Sequence, residues 1–133
     1  MTIKLTEIIE KLNGEIFTNH DFDLKREVEY VFSCDLMSDV LMFTRNASEV
    51  EGRNIILTTG LATNQSLRTA EMLDVDVVCL VRGKRPSDKM IKLAEESNII
   101  LIGTKCSTFT SNGLLFQEGL KGIEGYLTDE VQD

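Results

Sequence analysis

Tryptophan is absent, histidine and proline occur once each (His20 and Pro86), and aromatic residues make up only 6% of the 133 residues. One histidine cannot build a histidine-based metal site, which needs clustered ligands. His20 lies in the polar, acidic stretch Thr18 to Lys25 and reads as solvated. Basic residues are outnumbered 14 to 22 by acidic ones, for a formal net charge of −8. An acidic chain repels phosphate backbones, and with few aromatics there is little surface for stacking bases, so nucleic acid is not the expected partner.

Other absences narrow the chemistry. No apolar run approaches the ~20 residues of a membrane span, and the start, Met1 to Lys4, lacks the apolar stretch of a signal peptide. The three cysteines, Cys34, Cys79 and Cys106, form no C-x-x-C pair and read as reduced thiols of a cytoplasmic protein. There is no G-x-x-x-x-G-K-[ST] phosphate loop, no G-x-G-x-x-G and no G-x-S-x-G elbow. No cofactor and no metal are expected.

What is present is a set of short apolar runs, each followed by a turn and a helix-like pattern. Tyr30-Val31-Phe32 precedes Ser33 to Val40; Ile55-Ile56-Leu57 precedes Thr58-Thr59-Gly60; Val77 to Val81 precedes Arg82-Gly83-Lys84; Ile99 to Ile102 precedes Gly103-Thr104-Lys105. The last three runs start at intervals of 22 residues, which fits one strand, one helix and two turns. Near-continuous apolar strands are those covered on both faces. The expected fold is therefore α/β, a three-layer α/β/α sandwich with a mostly parallel sheet built from successive βα units.

The segments between the runs read as helices. Leu5, Ile8, Ile9 and Leu12 make an amphipathic stripe that Asn13-Gly14 should end, with Gly14 as the left-handed cap. Met37 to Arg45 reads as a helix with Ser38 and Asp39 in its first turn, and Glu27 to Ser33 as one strand. Leu67, Ala70 and Leu73 share a face, as do Met90, Leu93 and Ala94 behind the N-cap candidate Ser87. A last helix should carry Phe109, Gly113, Phe116 and Leu120 on one face. Residues 1–123 form one expected domain, and 124–133 an acidic tail.

If the strands are parallel, their four following turns meet at one sheet edge, where ligands of open α/β sheets bind. That edge would collect Ser33, Asp35, Ser38 and Asp39; then Thr58, Thr59 and Gly60; then Arg82, Gly83 and Lys84, with Arg85 beside them; then Thr104, Lys105, Ser107 and Thr108. Hydroxyls, backbone N–H groups of helix starts and several cations suit a phosphate-bearing small molecule. Hydroxyls and glycine also sit after strands simply to cap helices and make turns. Asp35 and Asp39, four apart, suit either acid–base work or the dipole of the helix they begin. Cys34 with His20 is a nominal nucleophile and base that nothing places together.

Asp35-Leu36-Met37-Ser38-Asp39-Val40-Leu41 resembles the Gly-Asp-Arg-Ser-Asp-Val-type turn of DRTGG domains. Val78 to Pro86 followed by Met90 to Ile102 is similar to that family's later strand, Thr-Gly-Gly turn, helix and strand. Lys4 to Gly14 and Leu24 to Val28 are similar to its opening helix and first strand. The resemblance spans about residues 3–122, with Leu36 in place of the name motif's Arg and Val81-Arg82-Gly83 in place of Thr-Gly-Gly. It implies an α/β/α regulatory or assembly module of the kind that accompanies phosphate acetyltransferases, some pyrophosphatases with nucleotide-sensing domains, and HPr kinase/phosphatase. In such proteins the catalytic residues lie elsewhere.

The expected function is a non-catalytic, cytoplasmic regulatory module. It would bind a small anionic ligand, with a nucleotide as one candidate, and form a homodimer or dock on a partner enzyme. The alternatives are a pure protein-interaction module without ligand, and a small enzyme acting on phosphometabolites through Asp35 and Asp39.

Overall fold

The structure is a computed structural model that describes residues 2–19, 24–33 and 54–123. The expected helix over 37–45, the residues Cys34, Asp35, Ser38, Asp39 and His20, and the acidic tail lie outside the described residues.

The elements in chain order are β1 (Ile3–Lys4), α1 (Leu5–Lys11), β2 (Glu15–Ile16), β3 (Glu27–Val28), β4 (Tyr30–Ser33) and β5 (Ile55–Thr59). Then follow α2 (Asn64–Met72), β6 (Val77–Leu80), α3 (Asp88–Glu96), β7 (Ile100–Gly103), α4 (Thr108–Gln117) and β8 (Lys121–Gly122). The main sheet has the order β2-β7-β6-β5-β4-β8. Its strands β7, β6, β5, β4 and β8 are parallel, and β2 runs antiparallel along β7. A separate antiparallel pair joins β1 to β3.

The alternation of the central strands divides the core in two. Ile55, Leu57, Val78, Leu80 and Leu101 face α2 and α3, meeting Leu67, Ala70, Met90 and Ala94. Ile56, Val77, Cys79, Ile100 and Ile102 face the other way, meeting Leu5 and Ile8 of α1, Leu12 at its C-cap and Leu115 of α4. The handedness of crossovers explains this placement. The steps β5 to β6 to β7 run one way across the sheet, so right-handed crossovers put α2 and α3 on the same face. The connection from β7 to β8 returns the opposite way, past β6, β5 and β4, and carries α4 on the opposite face. The three-layer architecture is as the apolar runs indicate.

Several expectations change in detail. Glu27 to Ser33 is two strands, not one: the backbone N–H groups of Glu29 and Tyr30 both donate to Asn54 O (2.8 and 3.0 Å), and that shared acceptor marks the break. The left-handed residue after α1 is Asn13, at φ 49°. Gly14 answers a different need, since a Cβ there would lie 3.1 Å from Gly103 O on the β7 edge. On α4 the buried side chains are Ser111 and Leu115, while Phe109 and Phe116 are 87% and 75% exposed. Of the expected α1, α2 and α3 stripes, Leu5, Ile8, Leu12, Leu67, Ala70, Leu73, Met90 and Ala94 are buried, while Ile9 and Leu93 are only partly so. Ser87 caps α3 by accepting from Met90 N at 3.1 Å.

Cys79 illustrates how closed the sheet centre is. It is fully buried, and burial, helped by the neighbouring Cys106, pushes its thiol from 9.0 up to about 12. The neutral thiol is the form the fold favours. Stability is thus unaffected below the ordinary thiol value and declines as pH rises from there towards the raised one. In folded protein at pH 8, iodoacetamide should modify half-buried Cys106 and spare Cys79. Peptide mass mapping before and after unfolding checks this; equal labelling of both would show a core that opens.

Candidate ligand site at the carboxyl edge

Register sets the edge. Ser33 of β4 pairs with Thr58 of β5, and Thr58 with Cys79 of β6. One residue further on, Thr59 pairs with Leu80, and Leu80 with Gly103 of β7. The turns after all four strands therefore start at one level. Thr58 points towards α4 and Thr59 towards the opposite face, because neighbours on a strand alternate.

Towards α4, three polar side chains close a ring. Thr58 Oγ1 donates to Asn112 Oδ1 (3.0 Å), Asn112 Nδ2 donates to Ser33 Oγ (2.7 Å), and the Ser33 and Thr58 hydroxyls bond each other. If Ser33 donates the last bond, each member gives one and takes one, which fixes the Asn112 carboxamide. The neighbouring Ser111 Oγ is buried without a hydrogen-bond partner. The ring lies beside a groove of about 560 Å³ between α4 and the β4–β8 side of the sheet, lined by Val31, Ser33, Phe109, Asn112, Gly113, Phe116 and Lys121 among others.

At the middle of the edge, Gly60 leaves room for the Arg82 side chain. A Cβ on Gly60 would fall 2.1 Å from Arg82 Nη2 and 2.8 Å from its Cζ, so the guanidinium lies against this glycine. The Arg82 backbone holds φ 60°, a region that costs a non-glycine residue about 1 kcal/mol or more. Two bonds to the next turn hold it there: Arg82 N donates to Cys106 O (2.8 Å) and Gly83 N to Thr104 O (2.9 Å). The loop after Gly60 leads into α2, whose N-cap Thr63 makes no side-chain cap bond and whose first turn has no acidic residue. Helix N–H groups and a cation thus sit on consecutive turns, an arrangement favourable to an anion.

Beyond Arg82, a smaller hollow of about 190 Å³ is bounded by Glu15, Phe17, Lys84, Arg85 and Lys105, among others. Arg85 grips Glu15 with two bonds of 2.9 Å and lies 5.1 Å from the centre of the Phe17 ring. The Arg85 hydrogen bonds, with charge from Arg85 and Lys105, hold the Glu15 carboxyl below its usual range. This exposed tie is present above the ordinary carboxylate range and lost as pH falls through the lowered value. Lys84 and Lys105 contribute further positive charge around the hollow.

The remaining expected residues have structural bonds. Thr104 Oγ1 donates to Leu12 O at the end of α1 (2.6 Å) and accepts from Cys106 N (3.2 Å). Thr59 Oγ1 accepts from Leu61 N (3.1 Å). Ser107 caps α4 by accepting from Thr110 N (3.1 Å), and Thr108 is that helix's first residue. The fold thus brings Ser33 to Thr58, and Gly60 to Arg82. Gly83, Lys84 and Lys105 border the hollow. Asn112, Glu15 and Phe17 were missed from the sequence; an asparagine in the middle of a helix, where it propagates poorly, was the one available signal for Asn112. Among the described residues no cluster of three His, Cys, Asp or Glu side chains could hold a metal, and no helix is long and apolar enough to cross a membrane.

No protein-family model matches the chain, and no curated protein matches it. A solved structure does: the CBS and DRTGG domains of the regulatory region of Clostridium perfringens pyrophosphatase, complexed with its activator diadenosine tetraphosphate. The likeness has a TM-score of 0.59 at 22% identity and covers 84% of this chain and 45% of that one. At that identity the likeness is one of fold, and this chain spans less than half of its neighbour's length. The α/β fold of this chain is of the CBS/DRTGG-like kind.

Proposed function

We propose that this chain is a non-catalytic regulatory module that binds a small phosphate-bearing ligand at the carboxyl edge and passes the signal on by self-association or by docking on an enzyme. The observation that carries the reading is Arg82. It is held in a strained backbone conformation with its guanidinium against Gly60, next to a helix start that has neither a side-chain cap nor an acidic residue. Strain maintained by two backbone bonds is a recognised mark of a functional position. The neighbour of like fold supports the reading, since its activator is a dinucleoside polyphosphate.

The test is a thermal-shift series with pyrophosphate, mononucleotides and dinucleoside polyphosphates. A ligand at 100 times its dissociation constant adds about 2.7 kcal/mol, a shift of several degrees for a domain of this size. Arg82→Gly removes the cation and relieves the positive φ together. It should abolish the shift while leaving the unliganded melting temperature unchanged or raised. A ligand shift that survives Arg82→Gly overturns the site.

A second reading rests on the exposure of Phe109 and Phe116 on α4, which suits a protein-interaction module. It expects a concentration-dependent oligomer by light scattering that Phe116→Asp dissolves.

A further inference from the structure

The groove beside α4 combines features that an apolar contact face does not need. Its helix wall carries Phe109, Gly113 and Phe116 at i, i+4 and i+7, with both rings turned outwards. A Cβ on Gly113 would meet nothing within 4 Å, so the glycine leaves an open slot between the two phenylalanines. At the strand end of the groove stands the Ser33–Thr58–Asn112 ring. Both polar atoms of the Asn112 amide are anchored inwards, one to Thr58 and one to Ser33. Each keeps one further capacity, an N–H on Nδ2 and a lone pair on Oδ1. These groups are neutral, and Lys121 is the charged residue of the lining. Apolar walls with a few fixed polar groups are the usual make-up of a small-molecule site, and about 560 Å³ lies within the usual size range.

We propose that this groove takes a neutral, planar heteroaromatic ring of the nucleobase class, stacked against Phe109 or Phe116 and hydrogen-bonded by Asn112. A base has apolar faces for the phenylalanines and mixed donors and acceptors on its rim for the carboxamide. Thr58, in the ring, is two residues before Gly60, about 7 Å along an extended strand. The groove and the Arg82 position are therefore close enough to be shared by the base and phosphate of one ligand. The inference deepens the ligand-binding reading above and rests on it.

The probes separate the two. Adenosine carries the base without phosphate; inorganic pyrophosphate carries the phosphate without a base. Calorimetric titration should show adenosine binding to the native chain. Phe116→Ala should weaken that binding by about 5- to 150-fold, the factor that one base-on-aromatic stack is worth. Gly113→Leu, which fills an open slot, should weaken it at least about tenfold. Circular dichroism melting confirms that each variant is folded. Adenosine binding that persists in both Gly113→Leu and Phe116→Ala overturns the groove. So does an absence of adenosine binding, whether pyrophosphate binds, in which case the edge reading stands, or does not, in which case that reading fails as well. A dimer that both Gly113→Leu and Phe116→Asp convert to monomer makes the occupant a second copy and likewise overturns the proposal.

Discussion

Gly60→Ala should cost on the order of 10- to 100-fold in anion affinity while changing the stability of the unliganded chain little. The added methyl would sit 2.1 Å from Arg82 Nη2 and 2.9 Å from its Nε, so the guanidinium must leave its present position. The obstacle is the far end of a flexible side chain, and a rotamer change relieves it without moving backbone. Nothing charged is removed, so the total charge and the long-range field are unaltered. What is lost is the placement of one charge-assisted contact, worth about 1.5–3 kcal/mol. Competition binding of pyrophosphate with urea unfolding on the same samples checks both halves. Unchanged affinity in Gly60→Ala would mean that the guanidinium acts from elsewhere or not at all. A matching loss of stability would mean that Gly60 serves packing.

The sequence made the sheet legible because its central strands are covered on both faces. Such strands must be apolar at successive positions, and Ile55 to Leu57, Val77 to Val81 and Ile99 to Ile102 are. The same reasoning cannot find β8. Lys121 and Gly122 are exposed and form a strand only because the return of α4 lays them beside Tyr30 and Val31. Nor can it orient α4. Phe109, Leu114, Leu115, Phe116 and Leu120 surround this segment with apolar residues, so periodicity does not choose a face; packing chose Leu115 and left the phenylalanines outside.

The edge was legible for a similar reason and with a similar limit. Strand ends can be read from where the apolar runs stop, and Ser33, Thr58, Gly60 and Arg82 were named on that basis. Partners brought in from remote elements cannot be read that way. Asn112 reaches Ser33 across 79 positions and Arg85 reaches Glu15 across 70. A left-handed cap after α1 was expected at Gly14, yet Asn13 takes it; at the third turn both Arg82 and Gly83 have positive φ. Sequence marks where a special backbone conformation is needed more reliably than which residue adopts it.

Thr104→Val should be the most damaging single change near the edge, and its effect should reach the site through the backbone. Valine keeps the shape and deletes the hydroxyl. Leu12 O at the end of α1 then loses a 2.6 Å bond, and Cys106 N loses its 3.2 Å acceptor. Thr104 is 5% exposed and its bond to Leu12 O is buried, so water does not readily replace that one; the bond to Cys106 N is only part-buried and is replaced more easily. At about 1–3 kcal/mol for the buried Leu12 carbonyl left unsatisfied, and roughly 0–1 kcal/mol for the part-buried Cys106 N–H, the loss is roughly 1–4 kcal/mol, a sizeable part of the ~5–15 kcal/mol that holds a domain of this size together. The 104–106 turn also supplies the carbonyls that hold Arg82 N and Gly83 N. Loosening it releases Arg82 from φ 60°, and anion affinity should fall together with stability. Thr104→Ser retains the hydroxyl and should recover most of both. Urea unfolding and pyrophosphate titration of the two variants separate the possibilities: a stable Thr104→Val would show that the clamp is dispensable, and an unstable one with undiminished affinity would show that Arg82 does not depend on it.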